Sequence, residues 1–206
     1  MASFSYNTNV GADYQNLFDN CIINQVHQSE LKKYSDNIFK NKARYELLVA
    51  GSSIPWYFIG LVHHMECSLS FEKHLYNGDL LTARTVRYPA GRPLFDKRGT
   101  AYTFEESALD CIQYQKLDKI TDWSLPHLLY TLEGYNGYGY KLYHPTVNTP
   151  YLWSYTNQYT SGKYVEEKDA LTGKYKTHFK PELVSKQCGI AAILKQMVID
   201  GYVVPA

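Results

Sequence analysis

Glu66 is the carboxylic acid whose position in the sequence most favours proton-transfer chemistry. The residues four and seven positions before it, Val62 and Ile59, are both apolar, and on a helix these positions share a face with Glu66. A carboxyl group at the end of a buried helix loses hydration, which disfavours its charged form and raises its pKa. An acid that stays protonated near neutral pH has the property that cleavage of a glycosidic bond requires. The same pattern equally fits a partly exposed glutamate at a frayed helix end.

Asp79 is the candidate for a second carboxylate. It follows Asn77-Gly78, the dipeptide most typical of a tight hairpin turn. An aspartate beside such a turn most often has only a local hydrogen-bonding role. Held across a cleft from Glu66, however, it would activate a water molecule or stabilise a developing cation. Thr82 and Thr85 are then the candidates to position that water.

Two histidines near Glu66 raise the question of a metal site. His63 lies three residues before Glu66 on the same predicted helix face, and His74 follows nearby. A helical His-x-x-Glu pair without clear further ligands is weak evidence for a metal, and a supporting histidine is the favoured interpretation. We therefore place His63 among the residues expected to contact substrate, and we predict neither a metal nor another cofactor.

The element that must position Glu66 is a helix that follows a break at 51–53. Ser53 is a plausible N-cap and Pro55 fits the first turn. The residues from Ile54 to Met65 are apolar with few interruptions. Since a helix that is apolar nearly all round is buried, this segment is predicted to be the central helix of the core.

Further elements surround this helix in the predicted fold. Helices are predicted over about 11–24, 29–50 and 181–199, from a capping box at Thr103 and from Pro126. A strand is predicted beyond the Asn77-Gly78 turn, a loop over 89–100 and irregular, aromatic-rich structure over 144–173. These patterns indicate a mainly helical α+β fold with a central buried helix and a small β-hairpin. We predict one domain over 1–206, with residues 1–51 as an N-terminal helical extension packed on it.

Composition narrows the classes of function. The net charge is +1, with 21 basic and 20 acidic residues and no basic tract, so nucleic-acid binding is not expected. No apolar run reaches transmembrane length, and the first residues lack the pattern of a secretory signal. We expect synthesis in the cytoplasm, no membrane insertion and four reduced, buried cysteines, Cys21, Cys67, Cys111 and Cys188. The 20 tyrosines suit a carbohydrate cleft, because each pairs an apolar ring with a hydroxyl.

Two segments resemble the lysozyme-like superfamily. Glu66-Cys67-Ser68 at a helix end, a hairpin and the later Gly134-Tyr135-Asn136-Gly137 are similar to soluble lytic transglycosylases and goose-type lysozymes. In those families the catalytic Glu is followed directly by Ser, whereas Ser68 is displaced here by one position. Their later Ala-Tyr-Asn-Ala-Gly motif lies beside the scissile sugars, which implies that Tyr135 and Asn136 lie at the cleft.

A wider similarity, to a bacterial and phage group of lysozyme-like proteins, covers most of the chain from Ile54 to Met197. Its segments include Ile-Pro-Trp-Tyr, Pro-Ala-Gly-Arg-Pro, Pro-Tyr-Leu-Trp-Ser and Ser-Lys-Gln-Cys-Gly. The aromatic segment among them points to Tyr151 and Trp153 as further cleft residues. The Gly-Leu-Met-Gln segment of transglycosylases is absent and Asn-Gly-Asp stands in its place, which favours hydrolysis with a second carboxylate.

The resemblance implies a muramidase that cuts peptidoglycan glycan strands between N-acetylmuramic acid and N-acetylglucosamine. Such an enzyme would act at the bacterial cell wall after release or secretion, with a holin or a delivery apparatus as its partner. A lytic transglycosylase that uses Glu66 alone is the closest alternative, and a chitinase-like activity is a weaker one. A non-catalytic glycan-binding module and a structural protein of a phage or secretion apparatus remain open, as does the oligomeric state.

Overall fold

Helices make up most of the regular structure of the protein. The computed structural model describes residues 4–95, 99, 101–168 and 173–206. The helices are α1 (Thr8–Asp19), α2 (Gln28–Lys40), α3 (Lys42–Leu48), α4 (Trp56–Cys67), α5 (Phe104–Tyr114), α6 (Leu125–Asn136), α7 (Gly139–Tyr143), α8 (Pro150–Trp153) and α9 (Ile190–Ile199). Strands β1 (Lys163–Lys168) and β2 (Tyr175–Lys180) form one antiparallel pair. The predicted class, mainly helical α+β, is confirmed.

Helix α4 is the central helix that the apolar run predicts. It packs against α2, α3, α6 and α9, and its residues 57–63 are buried. At Gly60 an added Cβ would lie 2.6 Å from a side-chain carbon of Ile38, so the Ile38 side chain of α2 packs directly against the backbone of α4. The prediction that Ser53 is the N-cap and Pro55 lies in the first turn is wrong. Pro55 occupies the N-cap position, and the Ser53 hydroxyl donates to the carbonyl of Ile120 instead.

Residues 4–51 bury side chains in the same core as the rest of the described chain. Tyr14 of α1, Leu31 of α2 and Tyr45 of α3 are fully buried in that core, α1 packs against α6, and α2 packs against α9. The helix predicted over 29–50 is divided at Asn41, and the one predicted over 11–24 begins earlier and ends at Asp19. The division of the chain into an extension and a catalytic domain stays a prediction.

The small hairpin lies elsewhere than the sequence indicates. The turn at Asn77-Gly78 forms, with both backbone N–H groups directed to the carbonyl of His74. Only an isolated bridge, Lys73 with Leu80, accompanies it, and no strand forms over 82–88. The Asp79 carboxylate accepts the N–H groups of Val86 and Arg87, which folds the chain back as a loop. The pair of strands lies later in the chain: β1 falls in the segment 144–173 predicted to be irregular, and β2 follows just after that segment, with Tyr164 paired to Phe179.

The remaining predictions have mixed outcomes. The capping box of Thr103 and Glu106 is confirmed, as is the helix that contains Pro126. The last helix begins only at Ile190, so the part of the predicted helix over 181–189 does not form. The predicted loop over 89–100 is irregular at 89–95, whereas residues 96–98 and 100 lie outside the described residues. No helix in the described part of the chain has the length and apolar character needed to cross a bilayer.

Candidate functional site

Glu66 occupies the last turn of α4 in a partly buried position. Its Oε1 accepts a 3.0 Å hydrogen bond from the Tyr151 hydroxyl. Burial raises the pKa of Glu66 to about 7, and it outweighs the lowering effects of the Tyr151 hydrogen bond and of the Arg87 charge. Around neutral pH a substantial fraction of Glu66 is therefore protonated and able to donate a proton.

A cavity of about 530 Å³, here called the main cavity, has the hydrogen-bond partner of Glu66, Tyr151, in its wall. Its wall comes from four parts of the chain: Asn136, Gly137, Gly139 and Tyr140 around the α6–α7 junction, Pro150 and Tyr151 of α8, Lys163, Tyr164, Glu166 and Thr177 of the sheet, and Ser185, Gln187 and Cys188 before α9. Because Tyr151 belongs to the wall and binds Glu66, the acid lies one hydrogen bond from the cavity. The volume suits a ligand of several sugar-sized groups.

The four predicted cleft residues do not share one environment. Asn136 and Tyr151 line the main cavity, as predicted. Tyr135 lines a different cavity, and its hydroxyl donates 2.9 Å to the carbonyl of Leu75 and contacts the Cys111 thiol at 2.8 Å. Trp153 is fully buried in the core, so the expected contact between its ring and a substrate is corrected. Tyr151 and Trp153 are two positions apart on the short helix α8 and lie on different faces of it. Tyr151 therefore lines the cavity, whereas Trp153 lies in the core.

His63 and His74 are structural histidines. The ring of His63 is fully buried, with one nitrogen 2.9 Å from the Tyr45 hydroxyl and the other 3.1 Å from the Ser70 carbonyl. Burial lowers the pKa of His63 to about 4, so it is neutral. The expected substrate contact of His63 is therefore corrected.

The described residues give no support to the metal alternative of His63, Glu66 and His74. His74 is fully buried, and its ring nitrogens lie 2.8 Å from the Ser107 hydroxyl and 2.8 Å from the Ala83 carbonyl. All four ring nitrogens of the two histidines are thus already hydrogen-bonded. No group of three or more His, Cys, Asp or Glu residues suited to a metal occurs in the part of the chain that the structure describes.

Asp79 anchors a loop beside the Glu66 helix. Its Oδ2 accepts the N–H groups of Val86 (2.9 Å) and Arg87 (3.0 Å), and its Oδ1 lies 2.7 Å from Nε of Arg87. Burial raises the pKa of Asp79, but these hydrogen bonds and the Arg87 charge outweigh it and leave the pKa below its ordinary value. Asp79 is therefore ionised, as a general base must be, although most of its hydrogen-bonding capacity is in use. Its catalytic role stays a prediction.

The two threonines predicted to hold a water differ in exposure. Thr82 is exposed. Thr85 is buried, and its hydroxyl donates to the Pro89 carbonyl and accepts the N–H of Arg92. The expected water-positioning role of Thr85 is corrected, because both bonds of its hydroxyl maintain the loop. The role of Thr82 stays a prediction.

Comparisons of this chain with protein-family models, with curated proteins and with solved structures found no match. The four cysteines are free and buried, as predicted.

The residues that sequence analysis missed include a second buried acid. Glu133 on α6 is fully buried, its Oε2 accepts 2.6 Å from the Tyr14 hydroxyl, and its Oε1 has no hydrogen-bond partner among the described residues. Burial raises the pKa of Glu133, against the opposing effects of Lys141 and Tyr14. Glu66 was selected because an apolar residue lies four positions before it on the helix. Glu133 has the same signal, since Leu129 lies four positions before it. Arg87 and Gln187 have no comparable signal.

Proposed function

We propose that this protein is a peptidoglycan-cleaving enzyme with a lysozyme-like fold, in which Glu66 is the general acid. The observation that carries the proposal is the state of that carboxyl group: partly buried, with its pKa raised to about 7 and hydrogen-bonded to the wall of a large cavity. A carboxylic acid with a raised pKa beside a cleft is the arrangement that protonates a glycosidic oxygen. The motifs around Glu66 and Asn136 support peptidoglycan as the substrate.

The reaction needs one proton to move onto the leaving oxygen. Protonated Glu66 transfers its proton to the glycosidic oxygen as the bond from that oxygen to the anomeric carbon breaks, which leaves a sugar with oxocarbenium character. The Tyr151 hydroxyl already donates to Oε1, so it stabilises the carboxylate that forms on Glu66. A water molecule then adds to the anomeric carbon and loses a proton to a base, which gives a reducing sugar. Asp79 is the base that we propose.

A lytic transglycosylase is the second candidate, and the contacts of Asp79 favour it. Each Asp79 oxygen already accepts at least one hydrogen bond from the 86–87 segment, which limits its freedom to activate water. In this alternative the C6 hydroxyl of the muramic acid unit attacks the same anomeric carbon. The Glu66 carboxylate takes the proton from that hydroxyl, and the product is a 1,6-anhydro sugar with no reducing end. No second carboxylate is needed.

Lysis and product analysis test both candidates. Purified cell walls are incubated with the wild-type protein, with Glu66→Gln and with Glu72→Gln, which alters an exposed acid and serves as the matched control. We expect clearing by the wild type and by the control, and loss of at least ~10²-fold in Glu66→Gln. Reducing ends among the products support hydrolysis, and anhydro ends support the second candidate. A folded Glu66→Gln variant with near-normal lysis would contradict both.

Delivery is a separate part of the proposal. A protein that acts on the wall must cross or escape the cytoplasmic membrane, and we propose that a holin or a secretion apparatus provides that route. Co-expression with a holin, compared with expression alone, tests it through lysis of the producing cells.

A further inference from the structure

A second cavity, of about 280 Å³, lies next to the main cavity and has no role in the function proposed above. We call it the flanking cavity, and its wall includes Tyr34, Asn37, His64, Ser68 and Tyr155. Gln187 and Cys188 belong to the walls of both cavities. The exposed segment that carries Gln187 thus borders the two spaces at once, and a long ligand in one cavity would meet Gln187 on its way to the other.

The end of α4 borders both spaces as well. Tyr151, which binds Glu66, lines the main cavity, whereas Met65 and Ser68 on either side of Glu66 line the flanking cavity. A chain that occupied both cavities would therefore pass the helix end that carries the proposed acid. This placement matches an enzyme that cuts inside a polymer.

The wall of the flanking cavity also concentrates unusual backbone conformations. Four non-glycine residues in the described chain have positive φ, and three of them line this cavity: Ser68 (51°), Leu69 (60°) and Tyr155 (73°). Bulky residues such as leucine and tyrosine are rare in this region. Strained backbone persists where the surrounding structure enforces it, and it clusters at binding and catalytic sites.

The wall of the flanking cavity carries one acid and one base, Glu30 and Lys186, whose opposite charges offset each other. Its other polar groups are uncharged and suit a hydroxyl-rich ligand. Burial lowers the pKa of His64 to about 4, so its ring is neutral and has one donor and one acceptor nitrogen. The Asn37 side chain is an exposed amide, which offers both donors and an acceptor. The ring of Tyr155 stacks on His27 at 3.5 Å and gives the apolar surface that a sugar ring needs.

We propose that the flanking cavity binds an N-acetylhexosamine unit of the same glycan strand that occupies the main cavity. The protein then requires a chain of several sugars rather than a disaccharide, and Gln187 contacts the strand between the two cavities. This inference rests on the proposed function, because it assumes that the ligand of the main cavity is a glycan.

Binding to sugars of different length tests the inference without any dependence on catalysis. The background is Glu66→Gln, and the probes are the trimer and the hexamer of N-acetylglucosamine, measured by calorimetry. We expect the hexamer to bind at least tenfold more tightly than the trimer. His64→Ala and Asn37→Ala, which lie on different helices, should each weaken hexamer binding severalfold and leave trimer binding unchanged. His178→Ala, at an exposed position on β2, is the matched control and should change neither.

The outcomes separate this inference from the function on which it rests. Lytic activity in the Glu66→Gln protein would contradict the proposed function. A higher affinity for the hexamer than for the trimer, lost in the His64 and Asn37 variants, would still support the inference. Equal affinity for the two probes, or a hexamer affinity that both variants leave unchanged, would overturn the inference. It would also be overturned if only a peptide-bearing disaccharide responded to His64→Ala, because the cavity would then accommodate the stem peptide.

Discussion

The hydroxyl of Tyr151 lies 3.0 Å from Oε1 of Glu66, although the two residues are 85 positions apart in the chain. Glu66 depends on α4 for its position, and Tyr151 depends on the short helix α8, whose first turn is capped by the Thr149 side chain. The acid is therefore carried by one helix and hydrogen-bonded by a residue of another. Its pKa reflects both of them, because burial raises it and the Tyr151 hydrogen bond lowers it.

The first prediction concerns Tyr151→Phe and the pH profile of activity. The active form of Glu66 is protonated, so wild-type activity should fall as pH rises through about 7. The Tyr151 hydroxyl stabilises the carboxylate, and its loss should raise the pKa of Glu66 further. The upper limb of the kcat/KM profile should then move to higher pH, with a lower maximum rate. Tyr143→Phe alters an exposed ring and should leave the limb in place. A limb that moves to lower pH in Tyr151→Phe would contradict this account.

The second prediction concerns the free energy of unfolding of Glu66→Gln. In the folded protein the pKa of Glu66 is raised from its ordinary 4.5 to about 7, so ionisation of this group opposes folding. The penalty is absent below pH 4.5, grows between pH 4.5 and 7, and reaches roughly 3 kcal/mol at most above that range. Glu66→Gln should therefore be more stable than the wild type at pH 8 and similar to it at pH 4. Urea unfolding at the two pH values measures this, with Glu72→Gln as the control. A variant less stable than the wild type at pH 8 would contradict it.

The predictable part of the site is the part that local patterns determine. The apolar run before Glu66 predicts a buried helix because a helix of that composition has no polar face to turn to water. Burial of the acid follows from the same run, and both are found. The capping box at Thr103 is another local signal with a specific hydrogen-bond pattern, and it too is present.

The parts that could not be predicted depend on partners distant in sequence. Histidine and tryptophan are both common in clefts. Nothing in the sequence near His63 shows that Tyr45 and Ser70 bind its ring. Likewise, nothing near Trp153 shows that the core encloses it. The Asn77-Gly78 turn formed as expected, but the strand beyond it did not, because Asp79 captures the N–H groups of the 86–87 segment. A side chain that binds backbone N–H groups competes with strand pairing, and the hairpin pattern contains no sign of that competition.

The third prediction concerns Gly78, which lies against the end of the acid's helix. Its φ is +71°, and an added Cβ would lie 2.3 Å from the backbone carbonyl oxygen of Glu66. Gly91 has a φ of +78° and nothing within 4 Å of such a Cβ, so Gly91→Ala measures the backbone cost alone, about 1–2 kcal/mol. Gly78→Ala should lose more stability than this and should also lower activity, because the clash displaces Glu66. Equal stability losses, with full activity in both variants, would show that the contact is not needed.

The fourth prediction concerns Asp79→Asn, which affects both the loop and the proposed hydrolysis. The pKa of Asp79 lies below its ordinary value, so the carboxylate stabilises the fold above about pH 4 and this contribution is lost as pH falls through the folded pKa. Asn at this position should lower the free energy of unfolding at pH 7 by about 1–3 kcal/mol, and the difference should shrink as the carboxylate becomes protonated at acidic pH.

The effect of Asp79 on the rate needs a control that disrupts the loop and keeps the carboxylate. Arg87→Gln removes the ion pair at 2.7 Å without removing the proposed base, and at pH 5 Glu66 is protonated in both variants. Asp79→Asn should then lower the hydrolysis rate at least ~10²-fold, whereas Arg87→Gln should lower it far less. Equal, small losses in the two variants, with anhydro-sugar products from the wild type, would mean that Asp79 is an anchor of the loop and that Glu66 performs the chemistry alone. The Glu66 carboxylate would then have to take the proton of the C6 hydroxyl, and the same Tyr151 hydrogen bond would hold it in position for both proton transfers.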